Sequence, residues 1–327
     1  MKILFGIQGT GNGHLSRAKE IIPLLMQYGE VDLLISGTDT EINLPYPVKY
    51  RKHGIGFIFG KRGGIDFWKT VKGLKPIRLM NDIRTVDLKS YDIIFNDYEP
   101  VIAWACKLRG IPCHGISHQG AYLSSKSPRP KNKKLYGEFF LKNYAPVSSI
   151  NAFHFAKYDD FIHTPVIRNG IRQTIPTRKD HVAVYLPSLS EERLIRTLSK
   201  IKTTHWKVFS KRATKIYTEG NVTIHPVSGV EWERTLASCE GALMGAGFEG
   251  PAEALFLKKK LLVVPMSMQY EQQCNAASLE EIGVHVVWKI NSTFESQIRH
   301  WLHNDKTVSV HYPNETINII QSIFNSI

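Results

Sequence analysis

The sequence predicts an α/β protein made of two successive units, each a mostly parallel sheet flanked by helices. Three observations carry that expectation. Short apolar runs alternate with helix-like stretches. The alternation breaks near Phe161 and restarts at His181. In each half, one apolar run opens directly into closely spaced glycines and then a helix-like segment. The length of 327 residues agrees, because single cores stop growing well before that size.

In chain order, "KILFGI" (Lys2–Ile7) is a strand candidate and "SRAKEIIPLLMQYG" (Ser16–Gly29) a helix. "VDLLISG" (Val31–Gly37), "YDIIFND" (Tyr91–Asp97) and "CHGIS" (Cys113–Ser117) follow as strands. The stretch from Phe161 to His181 holds Pro165, Gly170, Pro176 and several charges, the composition of a linker. After it come "HVAVYLPS" (His181–Ser188), "EERLIRTLSKIK" (Glu191–Lys202), "WKVFSK" (Trp206–Lys211) and "VTIHPV" (Val222–Val227). "EWERTLASC", "GALMGAG", "GPAEALFLKK", "LLVVPM" and "EEIGVHVVW" complete the second series. "NETINIIQSIFNSI" (Asn314–Ile327) has helical apolar spacing and is expected to pack back on the first unit. The expected domains are therefore 1–165 with 314–327, and 177–313. No close internal repeat is visible.

Hydrophobic content of 43% and charged content of 22% suit a soluble globular chain, and no apolar run is long enough to span a bilayer. The start "MKILFGIQG" lacks the apolar stretch and cleavage site of a signal peptide, so a cytoplasmic location is expected. Cys106, Cys113, Cys239 and Cys274 form no C-x-x-C pair, which leaves reduced, buried thiols and gives no metal site. The formal charge of +13 attracts anions without choosing among nucleic acid, acidic lipid and phosphorylated substrates.

The first glycine turn is Gly9, Thr10, Gly11, Asn12 and Gly13, followed by His14. Glycine lets ligand approach the backbone, and the free amides of the following helix favour anions. His14 stands where the dinucleotide fingerprint G-x-G-x-x-G needs its third glycine, which weakens a nicotinamide reading. Its expected place is the carboxyl end of the first strand, where α/β sheets bind ligands. The second turn, Gly245 to Gly250, precedes a helix bearing Glu253. Amides there suit a pyrophosphate, and a carboxylate one turn deeper can accept two hydrogen bonds from a ribose diol. After "LLVVP", the residues Glu271, Gln272 and Asn275 can grip sugar hydroxyls.

On these residues the sequence resembles GT-B glycosyltransferases, in particular the branch of the peptidoglycan N-acetylglucosaminyltransferase and the diacylglycerol galactosyltransferases. "GTGNGH" resembles that branch's turn ending in histidine. Glu253 and Pro265 keep the family's separation of ribose-binding glutamate and proline, and Gln272, Gln273 and Asn275 match its QQ-x-N ending. The resemblance implies two Rossmann-like domains facing across a cleft, acceptor in the first and donor in the second. It implies an inverting, metal-independent sugar transfer from a nucleotide-sugar, by family habit a uridine-diphosphate sugar, with no cofactor. By position, Gly245, Ala246 and Gly247 would face phosphate, Glu253 the ribose, and Gln272 and Gln273 the donor sugar. Phe248, Glu249, Asn275 and, in "VFSK", Ser210 are further donor-side candidates, with helix capping the alternative for Glu249. Loop chemistry explains "LPSLS" (Leu186–Ser190) equally well.

The first-domain "HEQN"-like motif is only echoed by "SHQGA" (Ser117–Ala121), so the general base stays open among His14, His118, Asp97 and Glu99. The two histidines titrate naturally near neutrality; the two carboxylates follow the strand "YDIIF", where capping is an equal alternative. The basic loop "SPRPKNKK" (Ser127–Lys134) and the aromatic-basic stretch Ile55–Lys75 suit an acidic bilayer surface. With a lipid or lipid-linked acceptor, that places the protein peripherally on the inner membrane face. The rivals are a nucleotide-sugar 2-epimerase of the same fold and a non-catalytic nucleic-acid-binding protein. No recognised nucleic-acid motif is present, so no specific nucleic acid is expected.

Overall fold

The computed structural model describes residues 1–37, 44–54 and 76–326. The stretch Ile55–Lys75 therefore lies outside the described residues. The first half holds β1 (Lys2–Gln8), α1 (Asn12–Leu25), β2 (Glu30–Ser36), β3 (Tyr50–Lys52), α2 (Pro76–Thr85), β4 (Ile93–Asp97) and α3 (Pro100–Arg109). It continues with β5 (His114–Ser117), a 3-10 turn (Gln119–Leu123), α4 (Leu135–Asn143), β6 (Ser149–Phe153) and β7 (Ile162–His163). The strands form one sheet in the order β3-β2-β1-β4-β5-β6-β7, every pair parallel. Ile3, Leu4, Phe5 and Ile7 are all buried, as a central parallel strand covered on both faces requires.

A short helix α5 (Asn169–Arg172) leads to the second half: β8 (Val182–Tyr185), α6 (Glu191–Leu198), β9 (Trp206–Ser210), β10 (Tyr217–Glu219), β11 (Val222–Pro226) and α7 (Gly229–Ser238). Then come β12 (Gly241–Gly245), α8 (Glu249–Phe256), β13 (Lys260–Val264), α9 (Tyr270–Glu281), β14 (His285–Val286), α10 (Phe294–His303) and α11 (Thr316–Asn325). This sheet runs β10-β11-β9-β8-β12-β13-β14, with only the β10–β11 pair antiparallel. In both sheets the strand order reverses once, between β1 and β4 and between β8 and β12. Connections diverge at such points and open a crevice at the carboxyl ends. The glycine turn after β1 and Asp97 line the first crevice; the turn after β12 lines the second.

Three local features sharpen the sequence expectations. The first helix begins at Asn12, not Ser16, because Gly11 takes φ 92° and turns the chain at once, which puts His14 in the first helical turn. The expected linker is ordered: β7 pairs with β6, Ile167 and Ile171 are buried, and Arg172 donates to the carbonyls of Tyr312 and Pro313. The last helix does return to the first half, where Ile319, Ile320 and Ile323 are buried and Phe324 stacks on Tyr28 at 3.9 Å between ring centroids. One apolar cluster runs from β1 and α1 through Phe155, Val166 and Ile167 to Ala246, Phe248 and Ala252, so the two halves share a core.

Candidate active site

The carboxyl edges of the two sheets meet around Asp97. This residue ends β4 and is fully buried. Its Oδ1 lies 2.9 Å from His14 Nδ1 and accepts from Arg17 Nη2 at 2.7 Å; its Oδ2 accepts from Arg17 Nε at 3.1 Å. Burial pushes the carboxyl up, but Arg17 and His14 together outweigh it and hold Asp97 below its ordinary value. On the other side of the ring, Gln119 Nε2 lies 3.3 Å from His14 Nε2. Arg17 Nη2 also lies 3.0 Å from Nδ1 but makes its shorter hydrogen bond to Asp97 Oδ1; a carboxylate only accepts and an amide nitrogen only donates, which favours the tautomer with the proton on Nδ1 and Nε2 free to accept. Tyr98 lies parallel to the ring, 6.5 Å away.

Arg17 also donates to Glu249, in the first turn of α8, and this ion pair joins the two halves. The Glu249 carboxylate lies over Gly13, where a Cβ would overlap it. By contrast, an added Cβ at Gly11 or Gly247 meets no atom within 4 Å, so both glycine turns face open space. Glu271, a quarter exposed, hydrogen-bonds with Gln119, and burial raises its carboxyl. Thr10 Oγ1, Asn12 Oδ1 and Gln119 Oε1 have no hydrogen-bond partner.

Several expected site residues have other employment. Glu99 caps α3: its oxygens accept from the Val101 and Ile102 amides at 2.7 Å each and from Ser36 Oγ at 2.6 Å. Both oxygens face capping donors and the side chain is fully buried, out of a substrate's reach, which removes it as a base. His118 is 1% exposed, stacks on Phe248 at 3.8 Å, and points its nitrogens at Asn275 Oδ1 and the Phe153 carbonyl. Burial pushes it down to about 3, and it packs the halves together without reaching the crevice. Asp97 is fully buried with both oxygens engaged by His14 and Arg17, too shielded to act as a base itself.

On the donor side, Glu253 is 2% exposed, and its oxygens accept from Arg168 Nε at 2.5 Å and Nη2 at 2.6 Å. The carboxylate expected to wait for a diol is thus already paired with an arginine, whose Nη1 continues to Glu233 at 2.5 Å. Gln272 Oε1 accepts from the Met266 amide at 3.1 Å, and Gln273 Nε2 donates to the Ser267 carbonyl at 2.5 Å, so both pin the loop after β13. Asn275 Nδ2 donates to the Ala246 carbonyl at 3.0 Å and braces the glycine turn. Ser210 Oγ donates to Glu191 at 2.5 Å. Among the described residues, no group of three or more His, Cys, Asp or Glu is placed to hold a metal ion.

The sequence reading missed Arg17, Gln119 and Arg168. A signal existed for Arg17, because positions three apart on a helix share a face and His14 was already singled out. Arg168 looked like linker charge, and no local pattern marks it.

A family model described as glycosyl transferase family 1 matches residues 1–304. Among solved structures, a MurG of Acinetobacter baumannii superposes with TM-score 0.59 at 13% identity, covering 100% of this chain and 100% of that one. Phytolacca americana UGT2, solved with UDP-2-fluoro-glucose and pterostilbene, gives 0.59 at 14% identity over 100% and 99%. The spinosyn forosaminyltransferase SpnP gives 0.58 at 12% over 100% and 95%. At these identities the likeness establishes the fold. No curated protein sequence matches the chain.

Proposed function

This chain belongs to glycosyl transferase family 1, and on that premise we propose that it moves a sugar from a uridine-diphosphate sugar to a hydroxyl of a lipid or lipid-linked acceptor, with inversion. The single observation that carries the reaction is the His14–Asp97 pair at the switch point of the first sheet. His14 Nε2 takes the proton of the acceptor hydroxyl as its oxygen attacks the anomeric carbon. The bond to the nucleotide diphosphate breaks, and the diphosphate leaves from the opposite face. Asp97, held ionised, stabilises the imidazolium. The open turn at Gly245–Gly247 and the first amides of α8 face the leaving diphosphate and offset its charge without a metal. The ribose role proposed for Glu253 requires the diol to displace Arg168 from this buried carboxylate.

Two features support the acceptor class and the branch of lipid-modifying enzymes. A cavity of about 150 Å³ is lined by Gln119 and Tyr98, both neighbours of His14, with Leu123, Leu141, Val147 and Ile150 around it. Next to it, α4 exposes Leu135, Tyr136 and Phe139, with Lys131, Lys133 and Lys142 exposed nearby. Apolar side chains ringed by cations suit an anionic membrane surface. Arg129 from the same basic loop turns inward to Glu138 at 2.6 Å and does not join that surface.

The reading is tested by a thermal-shift screen over nucleotide-sugars, followed by transfer assays with the stabilising donor. A donor at 100 times its Kd stabilises by about 2.7 kcal/mol. His14→Ala should lower kcat by roughly 10²- to 10⁴-fold and leave donor affinity unchanged by calorimetry. No stabilising nucleotide-sugar, or an epimerised donor without transfer, would overturn the transferase reading.

A further inference from the structure

We propose that Arg17 is a positioning residue that makes the His14–Asp97 base depend on contact between the two halves of the molecule. The proposal rests on the transferase reading above. Arg17 is 2% exposed and stands one helical turn from His14, on the same face of α1. Its Nε and Nη2 grip both oxygens of Asp97, at 3.1 and 2.7 Å, and its Nη1 reaches Glu249 on the other half. One guanidinium thus serves two carboxylates that belong to different sheets.

The charges explain what the second carboxylate does. Arg17 and Asp97 alone form a neutral pair, and the guanidinium then cancels much of the field that Asp97 presents to His14. With Glu249 in place the trio carries one net negative charge, so Arg17 and Asp97, both buried, no longer cancel at His14; Glu249 is 23% exposed and solvent screens part of its effect. The Glu249 contact therefore favours the positive charge that develops on His14 as it takes a proton, and loss of that contact withdraws the support. Gly13 belongs to the device, because only a residue without Cβ leaves room for the Glu249 carboxylate over the first turn of α1.

The experiment measures kcat and donor KM for the full chain and for Glu249→Ala, Gly13→Ala, the double variant and Arg17→Lys. Glu249→Ala should cut kcat by roughly tenfold or more, with donor KM within about threefold. Gly13→Ala should do the same by displacing the carboxylate, and the double variant should be no worse than either single one, since both break one contact. Arg17→Lys should fall at least as far, because an ammonium has no fork to hold both partners. If Arg17→Lys does not fold, the other variants still decide. Folded Glu249→Ala and Gly13→Ala proteins with wild-type kcat would overturn the proposal while leaving the transferase reading intact. A wild-type protein that turns over no nucleotide-sugar would overturn both.

Discussion

His14 is set apart by the company it keeps. Histidines are common on apolar helix faces, and what distinguishes this one is an acceptor on Nδ1 and a donor beside Nε2. Glu99 shows the opposite case, a carboxylate near the site that serves the backbone. Burial pushes it up to about 7 against the capping amides and Ser36, which pull it down. The native chain therefore holds this proton to a higher pH than the unfolded chain, whose carboxyl releases it near 4.5. Between those values the folded form binds more protons, so stability falls as pH rises through that window, by on the order of 3 kcal/mol. Chemical denaturation at pH 5 and pH 8 should show this loss in the wild type and a flatter profile in Glu99→Gln. Parallel profiles would mean that Glu99 is ionised throughout.

At the scale of elements, the site is an affair of loops that short helices and the connector hold in place. The QQ-x-N residues of α9 spend their hydrogen bonds on the loop after β13 and on the turn after β12, so α9 braces both from behind. Arg168, just ahead of α5, ties the connector to α8 through Glu253 and to α7 through Glu233. Glu253→Ala breaks the better buried of these pairs. It should destabilise the fold by about 3 kcal/mol, less than a fully isolated charge would because Glu233 remains. On the proposed ribose role it should also weaken donor binding by roughly 1–3 kcal/mol. Denaturation and calorimetry separate the two effects, and lost stability with unchanged donor affinity would confine Glu253 to the connector.

For the whole molecule, the formal charge of +13 matters where it meets apolar surface. The exposed side chains of α4 lie beside the cavity near His14, so a lipid surface bound there would present acceptors directly to the base. No helix among the described residues is long and apolar enough to cross a membrane. Co-sedimentation with phosphatidylserine vesicles should be strong at low salt. It should weaken as the Debye length shrinks from roughly 10 Å at 0.1 M to roughly 3 Å at 1 M. Phe139→Ser should reduce it further at any salt. Equal binding to neutral vesicles, or none to acidic ones, would remove the membrane from the proposal.

The sequence by itself determined the α/β class, the break between two series of strands, the two glycine turns and the returning last helix. It could do so because each of these is written locally. Strands buried on both faces need continuous apolar runs, tight turns need glycine, and amphipathic helices need a stripe. Only the tertiary structure decided which polar residues meet. Asp97 lies 83 positions from His14, and Arg17 lies 232 positions from Glu249. No periodicity encodes such distances, because partners in a buried ion pair are chosen by where the sheets place them. The same physics reassigned Glu99 to a cap, Glu253 to Arg168 and Gln273 to a loop carbonyl. A buried polar atom binds whatever complementary group the fold brings nearest, whether or not a ligand could also use it.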